Sequence, residues 1–305
     1  MLSDIFQIIE PRFHQYVLPN VHMEKIYMGT RWAEGPVYFP AGKYLLWSDI
    51  PNDRLMRYDE TDQSVSVFQS PCRFQNGHTL DKEGRLVSCE HLGRQVSRIE
   101  VDGSLTILAD RYQEKRLNSP NDVIVKSDGS IWFTDPTYGI DGHYEGDKAD
   151  SEIGGSYVYR IDPQTGAVVA VATDFVKPNG LAFSPDESLL YIADTGATHV
   201  DDGPQHIRVF DVKSDNSLHN DRLFATCTHG LFDGFRVDVD GNIWTSAGDG
   251  VHCYTPEAEL IGKILTDEVV SNVEFGGIKR NRLFICATRS LYAVYLNTQV
   301  ASRPA

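Results

Sequence analysis

"KPNGLAFSPDESLLYIADTG" (residues 177–196) follows its first proline with a lone carboxamide, alternates apolar residues, turns at Pro-Asp and resumes almost wholly apolar. That order describes a β-hairpin. Alternation marks a strand, Pro and Asp supply turn geometry, and the continuous return is a strand buried on both faces. The phrase is written again at 119–139, "SPNDVIVKSDGSIWFTDPTYG", and at 232–250, "FDGFRVDVDGNIWTSAGDG".

Six copies are present, opening at Glu34, Asn76, Asn121, Asn179, Asp233 and Asn272, with separations of 42, 45, 58, 54 and 39 residues. Weaker strands follow the hairpins, among them "GSYVYRID" (155–162), "HIRVFDV" (206–212) and "SLYAVYLN" (290–297), and no amphipathic helix is read anywhere. Repeats of about 40–50 residues with four strands each predict an all-β fold, a six-bladed β-propeller with a central metal-binding channel. One domain spanning residues 1–305 is expected, with the strand near 21–29, "VHMEKIYMG", completing the last blade.

In a propeller the first strand of each blade lines the channel, so the six opening residues should form one ring. All six carry side-chain oxygen, and two are carboxylates. Grouped away from water they would be costly alone, whereas a hard divalent cation prefers such donors. Calcium leads; magnesium, manganese or zinc remain alternatives, zinc being disfavoured by a ring without thiolate or imidazole. Each Asn-Gly or Asp-Gly taken singly is ordinary turn chemistry; six at one phase of a repeat point to a shared site.

Hairpin geometry brings a second set back beside the first: Asp49, Glu90-His91, Asp135 and Asp194, with Ala247 at the fifth place. Of these, His91 and Asp135, with Tyr138, are expected on the lip of a pocket. His78 lies two residues past Asn76 and so faces the same way. His229 and His252 are expected in surface or loop positions. Nucleophilic-serine, zinc-protease, nucleotide-loop and dinucleotide motifs are all missing.

Composition narrows the function classes. With 43 acidic against 28 basic residues the net charge is −15, which disfavours nucleic-acid binding. No apolar run is long enough for a membrane span. The N-terminus shows no export signal and the five cysteines are scattered, so a cytoplasmic protein with reduced thiols is expected, or a periplasmic one had a signal been removed.

The repeat openings resemble the SMP-30/gluconolactonase/luciferin-regenerating-enzyme family. The most specific pieces are "AEGPVY", "SPNDV" with "WFTDPTYG", "KPNGLAFSPDESLLYIADT" and "DGFRVDVDGNIWTSAGDGV"; "NGHTLDKEGRLVSCEH" is similar to the bacterial gluconolactonase branch. The resemblance implies one catalytic divalent cation held by Glu34, Asn179 and Asp233, with Asn121 a further ligand or a substrate contact and Asp233 the acid/base. Asn272 and Asn76 would sit off the metal. Where the vertebrate regucalcin branch has a substrate-holding arginine two residues before the Asn121 position, this chain has Ser119. The activity implied is metal-dependent hydrolysis of D-glucono-1,5-lactone or a similar small sugar lactone, with Asn76, His78, His91, Asn121 and Asp135 as the expected substrate contacts. The alternatives are a diisopropylfluorophosphatase-like phosphotriesterase or apolar-lactone hydrolase on the same scaffold, and a non-catalytic ligand-binding propeller with structural calcium.

Overall fold

Each hairpin of the repeat grows into a four-stranded antiparallel sheet in the computed structural model, which describes residues 4–301. Blade one holds Ala33–Phe39, Tyr44–Asp49, Arg54–Asp59 and Val65–Gln69 in that spatial order. Blade two begins at Gln75–Leu80, blade three at Val123–Val125, blade four at Pro178–Phe183, blade five at Phe235–Val237 and blade six at Val270–Gly276. The six-bladed propeller anticipated from the repeats is the fold. Blade six takes three strands from the C-terminal part of the chain and its outermost from Glu24–Met28, which pairs antiparallel with Ser290–Tyr295.

Three features were not legible in the repeat. Phe6–Ile8 adds a fifth strand to blade five against Leu260–Leu265, a two-stranded ribbon joins Arg111–Tyr112 to Lys115–Arg116, and one helical turn forms at Tyr138–Asp141. None belongs to the repeated unit. No helix of the described residues is long and apolar enough to cross a membrane.

Why the second strand of each blade is continuously apolar follows from where the core lies. The described core divides into six clusters, one at each seam between neighbouring blades. In the second strand of blade one, Leu45 and Trp47 face the seam with blade six while Leu46 faces that with blade two. Period-two alternation therefore delivers apolar residues to both sides. Trp132 and Trp244 fill corresponding places on blades three and five, each facing the seam with the following blade, whereas Trp47 faces the preceding one; all three are wholly buried. With the apolar packing in the seams, the axis is left to polar groups.

Candidate functional site

At the ring positions the sheet ladders slip. Register breaks fall between Glu34 and Val37, Gln75 and His78, Pro178 and Leu181, and Val270 and Asn272. A bulge bends its strand and re-aims side chains, and here it recurs where the ring residues leave the sheet. In blades three and five, Asn121 and Asp233 precede the strand altogether.

The glycines after the ring residues have a packing role rather than a turn role. A Cβ on Gly35 would lie 1.8 Å from the Asn76 carbonyl oxygen, one on Gly77 2.5 Å from that of Asn121, and one on Gly180 2.2 Å from that of Asp233. A Cβ on Gly234 would strike the Asn272 side chain at 2.0 Å. In blades one, two, four and five the ring segment thus rests on the next blade's ring segment, and only glycine leaves room. Among these four, Gly35 alone has positive φ, 53°.

Glu34, Asn76, Asn121, Asn179 and Asp233 all line one cavity of about 530 Å³ at this end of the channel. Glu34 is buried; its Oε2 accepts hydrogen bonds from the Gly35 N–H and from Asn272 Nδ2 at 2.9 Å, but its Oε1 meets no donor. Asn179 donates to Thr195 Oγ1 at 3.3 Å, and the Asp233 N–H is held by Ser246 Oγ at 2.8 Å. Burial, then the Glu34 charge, pushes the Asp233 carboxyl well above the usual range; burial does the same to Glu34. Asp122, adjacent in sequence to Asn121, adds a third negative influence on both. Two mutually repelling carboxylates, a bare buried oxygen and nearby carboxamides are the donor set a hard divalent cation fits. Glu34, Asn179 and Asp233 could hold one, with Asn121 close by. Imidazole and thiolate are missing from this set, and no cluster of three His, Cys, Asp or Glu side chains forms among the described residues. Further along the axis, buried Arg236 pairs with Glu274 at 2.8 Å, a partnership invisible in the sequence pattern.

The second set of residues does different work from that expected. Asp135 is fully buried and does not reach the cavity; its two oxygens accept the N–H groups of Asn118 and Ser119, both at 2.9 Å. Asp194 likewise takes the N–H groups of Val176 and Lys177, and Asp49 that of Arg31. These carboxylates end the returning strand and clamp the loop that presents the ring residue of the same blade. They are clamps, not lip residues. Burial nonetheless lifts Asp135 to about 7 against the pull of its two N–H donors.

His78 is also placed away from the cavity. It is wholly buried between Ser48 and Ser88, one hydroxyl at 2.8 Å from each ring nitrogen, and burial lowers its pKa to about 3. Because the Gln75–His78 bulge breaks the register, counting two residues from Asn76 misjudged its direction. His91 stands behind Asn76, with Nε2 3.3 Å from Asn76 Nδ2 and Nδ1 3.0 Å from the Glu145 carbonyl; burial lowers it to about 4. It can position Asn76 but does not line the cavity. His252, expected at the surface, is buried in a strand and meets Asp249 at 2.7 Å. Ser119 is buried and fixes the Tyr138 turn, accepting from Gly139 N–H and donating to Pro136 O.

Most of the cavity wall comes from loops that the repeat did not single out. The segment after blade three's second strand brings Tyr138, Asp141, Tyr144 and Glu145; blade four's loop brings Thr195, Thr198 and His199. Tyr138 OH meets Thr195 and Thr198 hydroxyls, and Lys177 pairs with Asp141 at 2.6 Å, so the two loops are tied together. Across the mouth stand Trp32, Ile50, Leu231 and Val269. The five cysteines are all free and buried.

A family model described as SMP-30/Gluconolactonase/LRE-like region matches residues 32–289. The chain belongs to the SMP-30/gluconolactonase/LRE-like family. Among relatives of this SMP-30/gluconolactonase-family chain, a protein named gluconolactonase from Zymomonas mobilis is 30% identical, covering 94% of this chain and 85% of its own. A protein named pentonolactonase XacC, from Haloferax volcanii, is also 30% identical, with 84% and 81% covered. A solved structure from Xanthomonas campestris, XC5397, titled a gluconolactonase important in glucose secondary metabolic pathways, superposes with TM-score 0.89 at 37% identity over 95% of this chain and 94% of that one. Luciferin-regenerating enzyme shares the fold at TM-score 0.73 and 17% identity, with 90% and 95% covered.

Proposed function

We propose that this gluconolactonase-type lactone hydrolase opens a neutral sugar lactone, D-glucono-1,5-lactone foremost, with a divalent cation held by Glu34, Asn179 and Asp233. The observation that carries the proposal is the Glu34–Asp233 pair: two carboxylates in one buried channel, with Glu34 Oε1 lacking any donor. Calcium suits this donor set best, because the oxygens are carboxylate and carboxamide and arise from separate blades. When bound, the ion would supply electrophilic stabilisation for negative charge on the lactone carbonyl oxygen.

The chain's own groups do the rest. Asp233, only partly covered at the cavity floor, takes a proton from water as the water oxygen bonds to the carbonyl carbon. The ring C–O bond then breaks, and Asp233 returns that proton to the departing ring oxygen. Asn121 and Asn76 offer carboxamide hydrogen bonds to hydroxyls, Asn76 being steadied by His91. The test uses protein stripped by a chelator and assayed on gluconolactone while single cations are restored. Restored cation should accelerate opening, and Asp233→Asn should abolish the gain. No metal-dependent acceleration over spontaneous opening would end the proposal.

One observation favours a second substrate type. The apolar arc of Trp32, Ile50, Leu231 and Val269 could seat an apolar arm, which extends the proposal to lactones with alkyl or aryl substituents.

A further inference from the structure

Glu145 is a carboxylate with nothing to bind. It lines the cavity, is half-buried, and its side chain accepts no hydrogen bond from the protein, so partial burial raises its pKa to about 7. Nor is its place an accident of a loose loop. Its carbonyl is held by His91 Nδ1, a Cβ on the following Gly146 would lie 2.2 Å from Gly139 O, and Gly139 itself packs on His91 and Ser119. Ala149 N–H bonds Ile140 O at 3.0 Å, closing the segment. Its charge is felt by both Glu34 and Asp233.

The surrounding wall carries an excess of acidic groups. Glu34, Asp233, Asp141 and Glu145 line it, and no lysine or arginine does among the described residues. Lys177 is committed to Asp141 and Thr137, with its ammonium 4.8 Å from the Tyr138 ring centre. His199 faces Asp141 at 3.7 Å.

We propose that Glu145 is a specificity-determining residue: its carboxylate accepts hydroxyl hydrogen bonds from a neutral polyhydroxylated lactone and excludes lactones bearing a phosphate or sulfonate group. This rests on the lactone-hydrolase proposal above. A half-buried carboxylate without protein donors is relieved by hydroxyls and worsened by a second anion. A relative named 6-deoxy-6-sulfogluconolactonase, from Pseudomonas putida, is 28% identical, covering 84% of this chain and 83% of its own. By its name it acts on a 6-deoxy-6-sulfogluconolactone.

The experiment compares kcat/KM of the full-length wild type, Glu145→Gln and Glu145→Asp on D-glucono-1,5-lactone and its 6-phosphate, with cation supplied. Wild type should prefer the neutral lactone. Glu145→Gln should lose about tenfold on the neutral lactone, chiefly through KM, while its preference over the phosphate narrows at least about tenfold. Glu145→Asp keeps the charge but withdraws the oxygens, so it should weaken the neutral substrate without relaxing the preference; it also answers the question if the Gln variant does not fold. A preference unchanged in Glu145→Gln, or equally relaxed in Glu145→Asp, overturns the assignment of charge selection to Glu145. A wild type that accelerates neither lactone overturns the lactonase proposal instead, so the two failures are distinguishable.

Discussion

Glu34 shows how much one side chain can reveal when its two oxygens are treated differently. Oε2 is satisfied by Gly35 and Asn272, while Oε1 has no donor. If a cation completes it, Glu34→Gln should weaken cation affinity by at least about a hundredfold, and Asn272→Ala, which only releases the supporting hydrogen bond, by about tenfold. Titration calorimetry on stripped protein separates the two, with circular dichroism confirming that each variant remains folded. His78 carries a pH prediction. Its pKa falls from 6.5 to about 3 in the fold, so below 6.5 the unfolded chain takes up a proton that the folded chain refuses. Stability from this residue is therefore lost as pH drops from 6.5 toward 3. Between pH 4 and 6 the stability of His78→Gln should depend on pH less steeply by about one proton, read from denaturant midpoints across that range. At this scale the sequence was legible only where a residue recurred at one phase of the repeat. Glu34, Asn76, Asn121, Asn179 and Asp233 did, and they share the cavity; Glu145 and Arg236 have no counterpart to recur with, and His78 was misdirected by a bulge.

Between the residues and the whole stand the hairpins, and there the clamping aspartates explain how the loops of blades one, three and four are set. Asp135 takes two backbone N–H groups, and so does Asp194. Removing either leaves both donors without their partner, so Asp135→Ala should cost roughly 2–4 kcal/mol in urea unfolding and reduce activity by misplacing Asn121. Asp135 also opposes His78 in pH dependence. Its folded pKa, about 7 against an ordinary 3.8, means that ionising it penalises the fold as pH rises through that interval. Hairpin spacing alone correctly put these carboxylates beside the ring residues, but the direction of a side chain depends on strand register, and a slip of one residue reverses it. The return of Asp135 onto its own loop instead of into the cavity could not be read from spacing.

Across the whole molecule, six seams carry the apolar packing and a polar axis remains, which is why alternation in the first strands and continuous apolarity in the second were sufficient to read the architecture. The added strand Phe6–Ile8 escaped because three residues carry no period. Glu24–Met28 covers the free edge of Ser290–Tyr295 in blade six. Deleting residues 1–29 should therefore bare two sheet edges, lower the melting temperature by about 10 °C or more, and promote self-association, measured by scanning calorimetry and light scattering. A truncated chain that melts like the full one would show the seams suffice without that cover.

The same pairing sets an order of events during synthesis. Glu24–Met28 leaves the ribosome long before Ser290–Tyr295 exists, a delay on the order of tens of seconds at ordinary translation speed. Through that interval the early segment is without its partner strand. Its charged residues at Glu24 and Lys25 suit such a wait, since they discourage a neighbouring nascent chain from taking the place meant for the last blade.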